Sequence, residues 1–306
     1  MKALITGIGG FVGQAIANCL IASDHDVIGF GRNLKHRPLS PAIRDKAQLV
    51  EGNVYNGDLI LELAAGCDAI FHCAALVGPE NYFAHPVETM EIETVGLRNS
   101  VLAALQSKAN LIYLSSSAVY GNVAEGTLSK EDDIVAPTSS YAVAKRYNEL
   151  YLQAQHSENG LSATVLRLFN VYGPGQVETM VIPRFLSLAL NAQPLSLFGG
   201  GRQTRDFVYI DDVAQVAVLS AQIEGGYDIF NVGTGVPISI AQLAEMIRAL
   251  TNSKSAIETP PTPPHRAPVE VSWSVGSTER LDQQLGFAPK TTLLDGLAYC
   301  LATRKA

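Results

Sequence analysis

The sequence predicts an α/β fold built on an open, doubly wound parallel sheet, and three observations support this prediction. The chain opens with an apolar strand, a glycine-rich turn and a helix, which is the start of a βαβ unit. Short strand-like runs then alternate with helical segments, an order typical of a parallel sheet covered by helices on both faces. Hydrophobic residues make up 47% of the 306 residues and charged residues only 17%, so the chain can bury a large core.

Each element follows from a local pattern of apolar residues. The first strand is predicted at residues 2–6 and its helix at residues 14–23. Further strands are predicted from short apolar runs at residues 26–31, 48–52, 69–73, 110–115 and 163–169. Two longer helices are predicted at residues 86–106 and 139–157, the second running to a cap at Asn159 and Gly160. In such a sheet, ligands bind at the carboxyl ends of the strands.

Three glycines, Gly7, Gly10 and Gly13, form the turn between the first strand and the first helix. Because glycine has no Cβ, the backbone of this turn can approach phosphate oxygens, and the helix start offers N–H groups with a partial positive charge. The usual dinucleotide fingerprint would place the third glycine at position 12, which is Val12 here. The turn therefore indicates a variant diphosphate site, and a plain glycine-rich turn is the alternative.

Tyr141 and Lys145 stand four residues apart in the predicted helix 139–157, so both side chains share one face. A tyrosine ionises near pH ~10 in water. A neighbouring ammonium favours the phenolate and moves the pKa toward the range useful for acid–base catalysis. The spacing alone is weak, since an amphipathic helix with a surface lysine gives the same pattern.

Composition limits the classes of partner. The net charge of −7 argues against general binding to nucleic acid or anionic membranes, so no partner of either kind is predicted. The four cysteines have no metal-binding or redox spacing, so we predict reduced thiols and no metal site. The sequence has no cleavable leader pattern and no apolar run long enough to span a membrane, which predicts a cytoplasmic enzyme.

Four motifs occur in an order and spacing that resemble the extended short-chain dehydrogenases/reductases. These motifs are TGIGGFVG at residues 6–13, DAIFHCAA at 68–75, SSSAVYG at 115–121 and YAVAK at 141–145. The chain is most similar to the nucleotide-sugar epimerases and dehydratases of that family, of the UDP-glucose 4-epimerase type. Further matches at residues 168–174, 205–212 and 285–289 extend the resemblance over nearly the whole chain.

The resemblance implies two domains and a nicotinamide cofactor. A Rossmann-type cofactor domain is expected at residues 1–172, with returns near 205–235, and a smaller α/β substrate domain mainly at 173–306. The residues that register with cofactor-binding positions of the family are Gly7, Gly10, Phe11, Val12, Gly13, Arg32, Asn53, Val54, Ala74, Ala75, Tyr141 and Lys145.

The choice between NAD and NADP depends on the end of the second strand. Many relatives that use NAD carry an aspartate there, whereas this chain has Gly31 followed by Arg32. A guanidinium without a neighbouring carboxylate suits a 2′-phosphate, which favours NADP. The alternative is that NAD binds and Arg32 stacks on the adenine or points to solvent.

The resemblance assigns catalysis to Ser116, Tyr141 and Lys145. Tyr141 would move the proton, Lys145 would lower its pKa and hold the nicotinamide ribose, and Ser116 would support the sugar oxygen. Relatives that eliminate water carry Asp and Glu after this serine, but the chain has Ser117 and Ala118, so dehydration is not expected. His72 is expected to be a structural residue at the end of its strand.

One catalytic-domain position departs from the family pattern. Relatives usually carry an asparagine where this chain has Glu93, three residues before Gly96 in the helix 86–106. A carboxylate buried there would need a partner or a proton.

Four residues are implied to bind the substrate, a nucleoside-diphosphate sugar: Ser117, Asn170, Arg205 and Arg266. The alternative for Arg205 is a structural ion pair with Asp206, Asp211 or Asp212. The resemblance also places Trp273 at the sugar pocket, and leaves sugar specificity to loops at residues 77–85 and 179–183.

The leading hypothesis is an epimerase that oxidises the sugar at C4 and reduces the keto-sugar from the other face. The alternatives are an NADPH-dependent reductase of a 4-keto-sugar and a cofactor-binding regulator with weak catalysis. Because the helices 86–106 and 139–157 carry more apolar surface than one sheet face needs, and relatives pair these helices, we also predict a homodimer.

Overall fold

The computed structural model describes residues 1–76, 84–223, 225–263 and 270–305. The chain divides into two compact units, each made of several segments. The first unit consists of Met1–Val119, Ser139–Leu168 and Val213–Phe230. The second unit consists of Tyr120–Thr138, Phe169–Asp212 and Asn231–Ala306.

The strands of the described residues are, in chain order, β1 (Lys2–Thr6), β2 (Asp26–Gly31), β3 (Gln48–Glu51), β4 (Ala69–His72), β5 (Asn110–Ser116), β6 (Ala163–Leu168), β7 (Asn170–Tyr172), β8 (Leu195–Ser196), β9 (Thr204–Tyr209), β10 (Tyr227–Val232), β11 (Pro237–Ser239), β12 (Ile257–Glu258) and β13 (Trp273–Ser274). Their α-helices are α1 (Phe11–Ala22), α2 (Pro41–Lys46), α3 (Gly57–Ala64), α4 (Pro86–Ser107), α5 (Ser140–Asn159), α6 (Val181–Leu190), α7 (Ile210–Ser220), α8 (Ile240–Thr251), α9 (Glu279–Leu285) and α10 (Leu293–Lys305). Short 3₁₀ turns lie at Leu34–His36, Ser117–Tyr120 and Phe198–Gly201.

The first unit is organised around a large sheet with the strand order β10–β6–β5–β4–β1–β2–β3. The pairs from β6 to β3 are parallel, and Leu4 in β1 lies opposite Ile28 in β2 and Ile70 in β4. The chain winds outward from β1 in one direction and from β4 in the other, so the order reverses between these two strands. This is the predicted doubly wound α/β fold, and such a switch point is where ligands of these sheets bind.

The core explains why the strands read as continuous apolar runs. In β5, Leu111, Ile112 and Tyr113 are fully buried although their side chains alternate between the two faces of the sheet. The helix α4 packs on one face of the sheet with α3 and α5 beside it, and every position of β5 except Ser116 at its end is buried. The predicted strands of this unit therefore agree with the observed ones to within one residue at each end.

The helix α1 begins earlier than the sequence predicted. It starts at Phe11, directly after Gly10 at the N-cap, and not at residue 14. Its first turn therefore belongs to the glycine-rich segment, which brings the helix N-terminus closer to any bound phosphate.

The second unit contains a smaller sheet of the order β11–β9–β13, with β7 also paired to β9. The strand β9 lies in this sheet, and the last segment of the first unit begins after it, at Val213. Buried Asp206 holds β9 in place: its carboxylate accepts hydrogen bonds from the N–H groups of Thr234 and Gly235, at 2.7 and 2.9 Å, and of Gly276, at 3.3 Å. These bonds tie β9 to the segments beside β11 and β13.

No helix within the described ranges combines the length and the apolar character that crossing a bilayer would require.

Candidate active site

The turn after β1 is shaped by close backbone contacts. Gly7 has a φ of +74°, which disfavours side chains, and a Cβ there would lie 2.7 Å from the backbone nitrogen of Ala74. A Cβ on Gly13 would lie 2.5 Å from the carbonyl oxygen of Gly7. Gly10 caps α1 without a side-chain hydrogen bond to the helix. The turn is thus a cradle of bare backbone at a helix N-terminus, and its residues fit a diphosphate.

The residues predicted for the adenosine end lie at the same edge of the sheet. Arg32 follows the last residue of β2, Asn53 follows β3, and both are exposed. Val54 is buried, and its carbonyl oxygen accepts a hydrogen bond of 2.8 Å from the Asn99 side chain. At the end of β4, the N–H of Ala74 donates to the Thr6 hydroxyl at 3.4 Å.

The predicted catalytic residues come together where β5 ends beside α5. The Ser139 side chain caps α5 by accepting a hydrogen bond of 3.2 Å from the N–H of Ala142. The Lys145 Nζ lies 5.6 Å from the centroid of the Tyr141 ring and donates to the carbonyl oxygen of Leu114 at 2.8 Å. Ser116, the last residue of β5, is hydrogen-bonded to the Tyr141 side chain. The geometry is that of an acid–base pair with a supporting hydroxyl.

The pKa of Tyr141 is shifted in the direction opposite to the one that the sequence suggested. Burial raises the pKa, the Glu93 carboxylate raises it further, and the hydrogen bond with Ser116 opposes the shift. The sequence had led us to expect that the ammonium of Lys145 would lower this pKa. That ammonium is already paired with a carboxylate.

Its partner is Glu93, the residue that departs from the family pattern. Glu93 is fully buried in α4, and its Oε2 lies 2.9 Å from the Lys145 Nζ. The Tyr113 hydroxyl donates to the same oxygen at 3.2 Å. The Asn148 side chain donates to the Glu93 carbonyl oxygen at 3.2 Å. The buried carboxylate therefore has the partner that its burial demands.

A second buried ion pair joins α5 to β6, and no sequence motif had predicted it. Glu149 in α5 accepts hydrogen bonds from Arg167 Nε and Nη2 in β6, at 3.0 and 2.9 Å. The Ser115 hydroxyl in β5 donates to Glu149 at 2.6 Å, and Arg146 pairs with it at 3.0 Å. This cluster fastens the helix that carries Tyr141 to two strands. The available signal was a single arginine inside the otherwise apolar run of β6.

His72 has the structural role that was expected. It is buried at the end of β4, with Nδ1 at 3.1 Å from the Thr6 hydroxyl and 2.9 Å from the Ser100 hydroxyl. Burial and, to a smaller extent, the charge of Lys145 lower its pKa to about 3. The imidazole is therefore neutral at physiological pH.

Of the residues predicted to bind the substrate, Asn170 and Arg205 lie in the second unit, and Ser117 follows β5 in the first. Asn170 begins β7 and is opposite Phe207 of β9, the strand that also carries Arg205. Arg205 pairs with Glu270 at 3.2 Å, not with Asp206, Asp211 or Asp212.

Trp273, which the resemblance places at the sugar pocket, lies within the described residues. The Trp273 indole N–H donates to the carbonyl oxygen of Thr127 at 2.7 Å. Arg266 and residues 77–83 of the specificity loop lie outside the described residues, so the structure does not place them. Their predicted roles stay predictions.

Comparison with known proteins identifies the family of the chain. The sequence profile of the NAD-dependent epimerase/dehydratase family matches residues 3–233. The chain belongs to this family. It is 31% identical over 307 residues to a UDP-glucose 4-epimerase of Mycolicibacterium smegmatis, covering 97% of this chain and 96% of the relative. It is 32% identical over 268 residues to a UDP-N-acetyl-alpha-D-glucosaminuronate decarboxylase of Bacillus cytotoxicus, covering 84% and 82%.

The solved structure of MoeE5 in complex with UDP-glucose and NAD is also similar to this member of the epimerase/dehydratase family. Its TM-score is 0.90 at 27% identity, over 100% of this chain and 99% of that one. The resemblance read from the sequence is confirmed: the protein is an enzyme of the extended short-chain dehydrogenase/reductase type, in a family of nucleotide-sugar epimerases and dehydratases. These comparisons give no support to the NADP preference drawn from Arg32, since MoeE5 was solved with NAD.

Proposed function

We propose that the protein is an NAD-dependent epimerase that inverts C4 of a nucleoside-diphosphate sugar through a keto-sugar intermediate. The observation that carries the proposal is the cluster of Ser116, Tyr141 and Lys145 at the edge of the sheet where the glycine cradle lies. The UDP-glucose 4-epimerase of M. smegmatis, similar over nearly its full length, supports this reaction.

The first unit offers the groups that NAD binding needs. Gly7, Gly10 and Gly13 would hold the diphosphate, Arg32 and Asn53 would meet the adenosine, and Lys145 would hold the nicotinamide ribose. The NAD of the MoeE5 complex favours NAD over NADP here, and the exposed Arg32 would then contact adenine or solvent. When bound, the nicotinamide supplies hydride uptake and return.

The side chains of the cluster divide the remaining work. Tyr141 takes the proton from the C4 hydroxyl and later returns it, while Ser116 hydrogen-bonds the reacting oxygen. An ammonium has three protons, and within the described ranges the acceptors of Lys145 are the Leu114 carbonyl and Glu93. One proton is left for a ribose hydroxyl. Ser117 and Ala118 offer no carboxyl group for the elimination of water, which argues against dehydration.

The test is the cofactor retained by the purified protein, read by mass spectrometry, together with turnover of UDP-sugars followed by NMR. We expect tightly held NAD and interconversion of the two C4 epimers with no net cofactor consumption. Stoichiometric loss of added NADPH would identify a reductase, and release of CO₂ from a UDP-uronic acid would identify a decarboxylase. Either result would overturn the epimerase proposal, and so would the absence of turnover across a broad sugar panel, which would favour a regulator.

We also propose that Asn170, Arg205 and Arg266 bind the nucleoside diphosphate. Arg205→Ala should weaken the binding of UDP by about ten- to a hundredfold, or ~1.5–3 kcal/mol, because a charge-assisted hydrogen bond is lost. Titration calorimetry with UDP measures the effect.

The Glu270 partner supplies the matched control for Arg205. If Arg205 serves only its ion pair with Glu270, then Glu270→Gln and Arg205→Ala should lower the thermal midpoint alike and leave UDP affinity unchanged. If Arg205 binds the diphosphate, Glu270→Gln should keep or improve UDP affinity, since the guanidinium loses a competing carboxylate. Equal UDP affinity of native protein and a folded Arg205→Ala variant would contradict the assignment.

The homodimer remains our proposal for the assembly. Leu102 of α4 and Val143, Tyr147 and Leu150 of α5 are 45–54% exposed, so these adjacent helices present apolar surface that a second copy would cover. Leu150→Lys should shift light scattering at micromolar concentration from dimer toward monomer. Leu294→Lys is the control, because Leu294 is a similarly exposed leucine in α10. A monomeric native protein would refute the proposal.

A further inference from the structure

The ion pair of Glu93 with Lys145 places a full negative charge beside the reacting residues. Glu93 and Lys145 come from different helices, α4 and α5, and both are almost completely excluded from solvent. The Lys145 Nζ lies 2.9 Å from the Glu93 Oε2 and 5.6 Å from the Tyr141 ring centroid. The ammonium therefore contacts the Glu93 carboxylate directly and lies over the ring of the reacting tyrosine.

The position of the Glu93 carboxylate is fixed by its neighbours. The Tyr113 hydroxyl and Lys145 both contact Oε2, and Asn148 holds the backbone of Glu93. The Glu93 Oε1 is buried and has no hydrogen-bond partner among the described residues. Oε2 thus carries the hydrogen bonds that stabilise the carboxylate, and Lys145 supplies the strongest of them. Movement of either partner would leave a charge buried without compensation.

The ionisable groups around Tyr141, Tyr113 and Lys145 come from five elements. They are His72 and Cys73 at the end of β4, Glu93 in α4, Tyr113 in β5, Lys145, Arg146 and Glu149 in α5, and Arg167 in β6. Burial lowers the pKa of His72 to about 3 and raises the pKa of the Cys73 thiol to about 12. Burial also raises the pKa of Tyr113, as does Glu93. These three groups are therefore neutral at physiological pH.

The charge balance that remains decides how easily Tyr141 loses its proton. Glu149 is paired with Arg167 and with the partly exposed Arg146, so the charges that remain beside Tyr141 are the ammonium of Lys145 and the carboxylate of Glu93. They sum to zero. Loss of the Tyr141 proton then leaves a net negative charge buried away from water. This raises the free energy of the ionised form. With a neutral side chain at position 93, the same loss would leave the ammonium and the phenolate balanced.

We propose that Glu93 is a positioning residue that fixes the Lys145 ammonium and, by cancelling its charge, sets the pH range in which Tyr141 exchanges its proton. The inference rests on the proposed function of this cluster, because it assigns Glu93 a role in the same proton transfer. The Glu93–Lys145 ion pair holds Lys145 in place, and it moves the pH range in which Tyr141 exchanges its proton to more alkaline values.

The test is Glu93→Gln, with Glu91→Gln as its matched control. Glu91 lies in the same helix and its change alters the net charge equally, but it is exposed. For Glu93→Gln we expect the ascending limb of the pH–rate profile to move to lower pH by about one unit, a tenfold change in the ionised fraction at a fixed pH. The profile of Glu91→Gln should coincide with that of the native protein.

A second measurement needs neither substrate nor turnover. With tyrosine labelled by ¹³C at Cζ, the NMR signal absent from Tyr141→Phe reports the ionisation of Tyr141. In the pH range where Tyr141 titrates and both proteins are folded, the Cζ chemical shift of Tyr141 in Glu93→Gln should lie closer to that of a phenolate than the shift in the native protein does. A purely structural role for Glu93 would lower the thermal midpoint but leave this signal unmoved.

The outcomes separate the two proposals. If the native protein has no activity on nucleotide sugars, the proposed function fails, while the NMR titration still tests Glu93. If the native protein is active and Glu93→Gln matches Glu91→Gln in both the pH profile and the titration, the role of Glu93 is refuted. Should Glu93→Gln not fold, the smaller Glu93→Asn takes its place with the same expected direction. Failure of both neutral variants to fold, with Glu93→Asp folded and native in its pH profile, would reduce Glu93 to a structural anchor and overturn the proposal.

Discussion

Tyr141→Phe is expected to lower kcat by about 10²- to 10⁴-fold, the usual contribution of one general acid–base group. The substitution removes only the hydroxyl that exchanges the proton. It leaves the glycine cradle and Lys145 in place, so the affinity for NAD should stay within about twofold of the native value, a free-energy change below ~0.5 kcal/mol. Steady-state kinetics on the accepted nucleotide sugar and a fluorescence titration with NADH measure the two effects.

The control for this variant is Tyr147→Phe. Tyr147 lies in the same helix, is half-exposed, and loses the same hydroxyl without touching the reacting cluster. Its kcat should equal that of the native protein. Lys145→Ala should differ from both variants, because it damages turnover and cofactor affinity together. Near-native turnover by Tyr141→Phe would exclude the proposed mechanism.

The second large effect concerns stability. Glu149→Gln is expected to lower the free energy of unfolding by about 3–5 kcal/mol, because the buried Arg167 guanidinium would lose the charge of the carboxylate that it pairs with. Arg167 is 1% exposed, so water cannot replace the lost carboxylate. The midpoint of urea unfolding, monitored by circular dichroism, measures the loss. Since α5 carries Tyr141 and Lys145, the variant should also lose turnover at a lower temperature than the native protein does.

Two further variants identify the cause of this loss. Glu158→Gln changes an exposed glutamate near the end of the same helix and should leave the free energy of unfolding within about 0.5 kcal/mol of the native value. The double variant Glu149→Met/Arg167→Met removes both charges and should recover most of the lost stability, since apolar groups of similar volume can replace a buried ion pair. If Glu149→Gln and Glu158→Gln unfold at the same urea concentration, the cluster does not stabilise the unit.

The sequence by itself determined the features that depend on local spacing. The glycines at 7, 10 and 13 predicted a phosphate-binding turn because the requirement for a missing Cβ is met residue by residue, as the contacts of Gly7 and Gly13 show. Tyr141 and Lys145 could be placed on one face because a helix fixes the relation of residues four apart. The strands were found because parallel strands buried on both faces are apolar throughout. The order of these elements then fixed the doubly wound fold.

Only the tertiary structure decided which charges meet. Glu93 looked like a departure without a partner, and it pairs with Lys145 because α4 packs against α5 at that level of both helices. Glu149 and Arg167 gave no motif, yet their ion pair joins α5 to β6. Arg205 pairs with Glu270 because β9 lies in the smaller sheet, which the sequence order did not reveal. Electrostatic energies depend on distance and burial in three dimensions, and neither follows from spacing along the chain.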